Sequence, residues 1–257
     1  MTGTEKWVAF QTIAAKEIQR FLRIWVQTLI PPVITMSLYF IIFGNLIGKQ
    51  IGDIKGFSYM EFIVPGLILM AVISNSYANV VSSFYGAKFQ RHIEEMMVSP
   101  VPVWIILAGY IIGGVARGLL VGAIVTVVAL FFTDLHIAHP LLAIVIVLLT
   151  AVLFSIAGLI NALFANSFDD ISIIPTFVLT PLTYLGGVFY SIQMLPDFWQ
   201  TVSRANPILY MIDGFRWGVL GASDMNPWIS VSMIFGFVGV LGAIALAMLK
   251  KGFGIRT

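Results

Sequence analysis

His136 and His139 share a short segment with Asp134, and imidazoles beside a carboxylate are what a metal centre would use. A helical zinc pair needs histidines four apart and a third ligand. A spacing of three in a loop therefore reads as solvated side chains, and no metal site is expected. The sequence has no cysteine, which removes thiolate ligands, disulfides and cysteine nucleophiles. No His-Glu-x-x-His and no Gly-x-Ser-Gly turn occurs, so neither metal-assisted nor serine hydrolysis is indicated. The lysines are followed by Trp, Glu, Gln, Gly, Phe, Lys and Gly, never by Ser or Thr. The chain thus carries no phosphate-cradling P-loop, and no catalytic residue is expected.

Polar side chains instead fall in register inside apolar runs. Asn75, Asn79, Ser82 and Ser83 are separated by steps of four, three and one, and Thr176, Thr180, Thr183 and Tyr184 repeat those steps. Each set lies on one face of a helix. Hydroxyls and amides in an apolar medium seek protein or water, so the stripes either line a path or bond helices together. Arg117 is the one charge near the middle of such a run. With no carboxylate in another run it is a poor proton relay. It is expected to cap carbonyls or to pair with an acid of its own subunit. Around it Gly109 and Gly113, then Gly114, Gly118 and Gly122, recur at four-residue steps, the spacing that lets helices touch closely.

A third constellation is residues 88–100, KFQRHIEEMMVSP. Phe89, Ile93, Met96 and Met97 share one helical face, and Arg91, His92, Glu94 and Glu95 line the other. Pro100 and Pro102 stop the helix before the next apolar run. A short amphipathic helix with soft methionines suits either a groove in a partner protein or the headgroup surface.

The elements that position these residues are membrane helices. The chain has 257 residues, 59% hydrophobic and 10% charged, whereas a soluble domain is about a quarter charged. Those proportions exclude disorder and argue against a soluble enzyme. A net charge of +2, with no basic and aromatic patch, gives no reason to expect nucleic acid. Six stretches reach the roughly 20 apolar residues that a spanning helix needs: residues 24–47, 62–84, 103–132, 141–164, 171–190 and 228–249. Ahead of them Trp7, Phe10, Ala14, Ile18, Phe21 and Trp25 form one apolar stripe opposite charges. This predicts an interfacial helix over residues 5–23 rather than a signal peptide.

Six spans put both termini on one side. That side collects Lys6, Lys16, Arg20, Arg23, Lys88, Arg91, Lys250, Lys251 and Arg256, against Lys49, Lys55, Arg204 and Arg216 on the other. The termini are therefore expected to be cytoplasmic. Residues 191–226 form a long outer segment rich in apolar side chains, broken from its neighbours by Gly186, Gly187 and Pro196. Short helices dipping back between spans fit it best. The expected fold is an all-α membrane protein in a single transmembrane domain.

Taken in order, RIWVQTLIPPVITMSLYFIIFG (23–44), FIVPGLILM (62–70), FQRHIEEMMVSPVP (89–102), FDDISIIPTFVLTPLTYLGGVFYS (168–191) and NPILYMIDGFRWG (206–218) make a resemblance. The sequence is similar to the ABC-2 type transporter permeases, the membrane subunits of bacterial ATP-driven exporters. The resemblance implies the type-2 exporter fold, an inner-membrane location and a second permease copy, as a homodimer. It implies two copies of a separate ABC ATPase that holds ATP and magnesium, with no cofactor on this chain. By resemblance, residues 89–100 form the coupling helix, with Phe89, Arg91, Ile93, Glu94, Glu95, Met96 and Met97 at the ATPase, and the N-terminal helix touches the ATPase too. The two polar stripes then line the path, and Tyr184, Phe189, Leu195, Phe198 and Trp199 close it outside or belong to the interfacial aromatic belt. An amphiphilic cargo is expected: a drug, a lipid or a lipid-linked glycan. The alternatives are an energy-independent channel or scramblase, and a membrane enzyme acting through His136 or His139.

Overall fold

The computed structural model describes residues 1–255; Arg256, one of the cations placed on the inner side above, lies outside the described residues. Among these residues the chain is helical, with no β-strand beyond an isolated bridge between Ile54 and Phe57. Helix α1 (Gly3–Arg23) starts at a capping box, in which Glu5 Oε2 accepts from the Thr2 amide at 2.8 Å. Ile24 breaks it, and α2 (Trp25–Tyr39) follows, continued by a π-helical stretch (Phe40–Ile47) and one last turn, α3 (Gly48–Ile51).

Helix α4 (Tyr59–Phe89) is longer than its apolar run requires. At its start Ser58 and Glu61 form a second capping box, the Glu61 carboxylate accepting from the Ser58 amide at 2.8 Å. At its far end it runs on through Lys88. After it come α5 (His92–Val98), α6 (Val103–Ala129) and α7 (Pro140–Phe164). The final helix, α12 (Pro227–Lys251), stops where Gly252 turns left-handed.

Among the described residues five helices are long and apolar enough to cross a membrane: Trp25–Gly44, α4, α6, α7 and α12. The span expected over residues 171–190 is corrected to a shorter helix, Asp170–Leu185. It comprises α8 (Asp170–Ile174), a π-helical turn (Pro175–Leu179) and α9 (Thr180–Leu185). Pro175 and Pro181 lack the amides a regular ladder would use, and the widened turn closes with Thr180 donating to the Pro175 carbonyl. Gly187 then takes φ +76° and the chain turns back. The segment over residues 191–226 carries a 3-10 turn (Ile192–Met194), α10 (Asp197–Arg204) and α11 (Pro207–Leu220).

Helix α4 is the centre of the bundle. Its most apolar window is 83% buried, against 17% for Trp25–Gly44 and for α12. Glycines set its neighbours. A Cβ at Gly158 of α7 would lie 2.6 Å from the Tyr77 carbonyl oxygen of α4. On α6 the two glycine series face different partners: Gly109 and Gly113 lie under Ile13 and Glu17 of α1, while Gly114, Gly118 and Gly122 lie against Val80, Ser76 and Val72 of α4. Each close approach exchanges a side chain for dispersion contact along two backbones.

Candidate functional site

The polar residues gather in three places. At one end of the bundle, α4 hands over to α5 through Gln90 and Arg91, whose φ of 61° is left-handed. That turn sets α5 apart as a helix of seven residues, not one continuous with Lys88. Ile93 is fully buried, and Met96 and Met97 pack on the core. The expected apolar face is thus largely turned into this subunit. Outward it leaves Arg91, His92 and Glu95, with Val98 at 89% exposure; Glu94 is half-buried. Phe89, 65% exposed, belongs to the last turn of α4 and meets Phe168 at 5.2 Å between ring centroids. Lys88 Nζ donates to the carbonyls of Leu163 at 3.0 Å and Ala165 at 2.6 Å. An ammonium thereby caps the orphan carbonyls ending α7. The base of α5 is in this way fastened to the turn that opens the fifth helix.

The second place lies between α1, α4 and α6. Arg20 donates from Nη2 to the Asn79 carbonyl at 2.9 Å and to Asn79 Oδ1 at 2.8 Å, and its Nε lies 3.4 Å from Glu17 Oε2. Arg117 donates to Asn75 Oδ1 at 3.1 Å. Two of the stripe residues, Asn75 and Asn79, therefore face arginines inside the subunit. Ser83 is buried beside them, and Ser82, exposed, donates back to Ala78 at 2.7 Å. Arg117 meets an amide, where a carbonyl or an acid was expected. Glu17 is the residue the sequence pattern missed here. It sits on the charged side of the α1 stripe yet is buried, because Gly113 leaves room for it.

The third place is at the opposite end. Asp224 receives the Lys55 ammonium, the Ser191 hydroxyl at 2.7 Å and the Ile192 amide at 3.1 Å. Burial disfavours its charge, yet the Lys55 and Ser191 partners hold the carboxyl below the usual carboxylate range. Asp213 accepts the amides of Asp224 at 2.7 Å and Met225 at 3.0 Å. Arg216, wholly buried, lies over the Phe62 ring and donates to the Phe62 carbonyl at 3.2 Å and the Gly187 carbonyl at 2.5 Å. Lys55, Asp213, Arg216 and Asp224 thus bind the segment over residues 191–226 to α4 and the loop before it. Their signal in the sequence was charge persisting within an apolar segment, but which charges meet depends on loops distant along the chain.

The remaining expected residues lie on the fifth helix and beyond it. Thr176 and Thr180 are exposed, and Thr183 is buried, donating to Leu179 at 2.7 Å. Tyr184 and Tyr39 of α2 meet hydroxyl to hydroxyl at 3.2 Å. Phe189 packs on Phe43 with centroids 4.5 Å apart and touches Tyr39 and Tyr184 as well. Leu195 is half-buried, while Phe198 and Trp199 are exposed edge to face at 5.4 Å. His139 stacks on Trp217 at 4.2 Å. The arrangement offers fastened ends, a polar interior and an open face made by α2 and the fifth helix.

Residues 8–220 match the ABC-2 type transporter family. Over 251 residues the chain is 60% identical to the inner membrane transport permease YadH of Escherichia coli (strain K12), covering 98% of each chain. It is 24% identical over 209 residues to nodulation protein J of Rhizobium leguminosarum bv. viciae, covering 81% of each. With nodulation protein J of Sinorhizobium fredii the identity is 25% over 216 residues, covering 84% of this chain and 82% of that one.

Proposed function

The chain belongs to the ABC-2 type transporter family, and on that premise we propose that it is the transmembrane permease subunit of an ATP-driven exporter in the bacterial inner membrane. ATP is hydrolysed by a separate ABC ATPase, present in two copies beneath two permease copies. The observation that carries this reading is α5. It is a short helix held in place by buried Ile93 and joined through Lys88 to the end of α7. It presents Arg91, Glu95 and Val98 outward, a mixed-charge face with an apolar tip that suits a cleft in another protein. An element so fastened transmits a push from that partner as a rigid-body shift.

In this reading six helices span the membrane, the fifth being the short Asp170–Leu185, and α10 and α11 re-enter from outside. Both termini and α5 are cytoplasmic. The path runs between the two copies along Thr176, Thr180 and Tyr184 of the fifth helix and Ser82 of α4, which are uncovered in one copy. Asn75 and Asn79 act behind it, holding Arg117 and Arg20. Phe189, Leu195, Phe198 and Trp199 close it outside. Neutral hydroxyl and aromatic linings favour an amphiphilic cargo: a drug, a lipid or a lipid-linked glycan.

The test is co-purification with an ABC ATPase. Glu94→Arg together with Glu95→Arg lowers ATPase capture and transport by about tenfold or more, since like charges replace complementary ones. A permease that moves cargo with no ATPase, and whose double variant is as active as the parent, is a channel or scramblase instead.

A further inference from the structure

The outward side of α1 carries a feature that coupling through α5 does not use. A cavity of about 560 Å³ lies along it, lined by Thr12, Lys16, Gln19, Arg20, Arg23 and Ile24. Lys16, Arg20 and Arg23 follow one another at steps of four and three, so they share one helical face. Among the described residues the ion pairs are Arg20–Glu17 and Lys55–Asp224, which leaves Lys16 and Arg23 without an acid. Arg20 is held rigid from behind by Asn79, so its guanidinium edge is preorganised. Ile24 closes the cavity exactly where α1 gives way to α2. Immediately beyond it Val26, Ile30, Ile34 and Leu38 are exposed, at four-residue steps and so on one face. From Val26 to Leu38 that stripe runs roughly 18 Å at 1.5 Å per residue, close to one leaflet of a hydrocarbon core about 30 Å thick.

We infer that this groove is a binding site for one anionic phospholipid of the inner leaflet, its phosphate among Lys16, Arg20 and Arg23 and its acyl chains along the exposed stripe of α2. Three cations with one acid between them match a phosphate, and hydroxyl and amide groups from Thr12 and Gln19 can complete its hydrogen bonds. The apolar stripe selects a lipid over a soluble anion, because a soluble anion leaves it uncovered. The site rests on the membrane placement of α1 in the reading above and not on the ATPase.

The experiment uses the full-length permease alone in detergent micelles, titrated with phosphatidylglycerol while its thermal unfolding is followed. Phosphatidylglycerol raises the transition temperature saturably, more weakly at high salt, and neither phosphatidylcholine nor inorganic phosphate does so. Lys16→Gln with Arg23→Gln shifts the half-saturating lipid concentration upward roughly 30-fold, the equivalent of about 1 kcal/mol for each cation removed. Both side chains are exposed, so the double variant without lipid unfolds like the parent, and Lys6→Gln, outside the groove, titrates like the parent. Equal stabilisation by phosphatidylcholine, reproduction of the effect by inorganic phosphate, or an unshifted double variant overturns the site. A double variant that loses ATPase capture but keeps its lipid titration assigns the face to the ATPase instead. Because no ATPase is present in the titration, a negative result leaves the exporter reading standing.

Discussion

Asp224 holds an ammonium, a hydroxyl and a backbone amide at once, and Lys55 reaches it from a loop where its own φ is 55°. A side chain with a Cβ takes up that left-handed backbone at a cost of about 1–2 kcal/mol, so the ion pair must outweigh the strain. The carboxyl sits below the usual range despite its burial, through Lys55 and Ser191. A group depressed in the folded state contributes stability above its unfolded pKa and loses it as pH falls through the folded one. The loops that Asp224 joins therefore loosen on acidification, starting near pH 4 and completing below it. Asp224→Asn removes that contribution, so the variant is less stable at neutral pH and its thermal transition changes less between about pH 5 and pH 3. A parent-like acid slope in the variant would assign the sensitivity to another carboxylate.

Helix α1 shows how an element is chosen by what lies across from it. Its apolar stripe of Trp7, Phe10, Ala14, Ile18, Phe21 and Trp25 reads as a helix lying in the membrane surface; within the subunit Ala14 and Phe21 are buried, Trp7 stays 57% exposed and Glu17 goes inside. The rotation follows from Gly109 and Gly113, which open a trough on α6 that Ile13 and Glu17 fill. Gly113→Leu overfills that trough and costs about 1–3 kcal/mol. It should expose α1 to limited proteolysis, whereas Gly236→Leu, with open space around it, leaves the digestion pattern unchanged. Five long helices were legible because an unbroken apolar run is a local property. The fifth span was overextended because Gly186 and Gly187 read as a flank, while the return of the chain there depends on Arg216 gripping the Gly187 carbonyl. One helix was expected over residues 89–100; the structure ends α4 at Phe89 and begins α5 at His92, and a short segment cannot encode that Ile93 will meet the core of its own subunit. Asn75 and Asn79 read as a stripe; that arginines from two other helices claim them is information held far away in the chain.

At the scale of the molecule, the two ends of the bundle differ in kind. One gathers α5, the end of α7 and the turn before the fifth helix around Lys88; the other gathers three loops around Asp213, Arg216 and Asp224. Their sidedness is open to direct measurement, because the chain is free of cysteine. In intact cells Val98→Cys should resist a membrane-impermeant maleimide until the membrane is opened, and Asp134→Cys should react at once; the reverse pattern would turn the protein over. Helix α4 touches both ends, with Lys88 at one and the Phe62 carbonyl at the other. At 1.5 Å per residue it is a strut of roughly 46 Å, and Pro65 is the one proline in it. On the exporter reading, a stiff rod with a single notch near its tip would turn a sideways nudge at the handle into a bend under the cap, which makes the Arg216 clasp the joint to probe for motion begun at the Lys88 end.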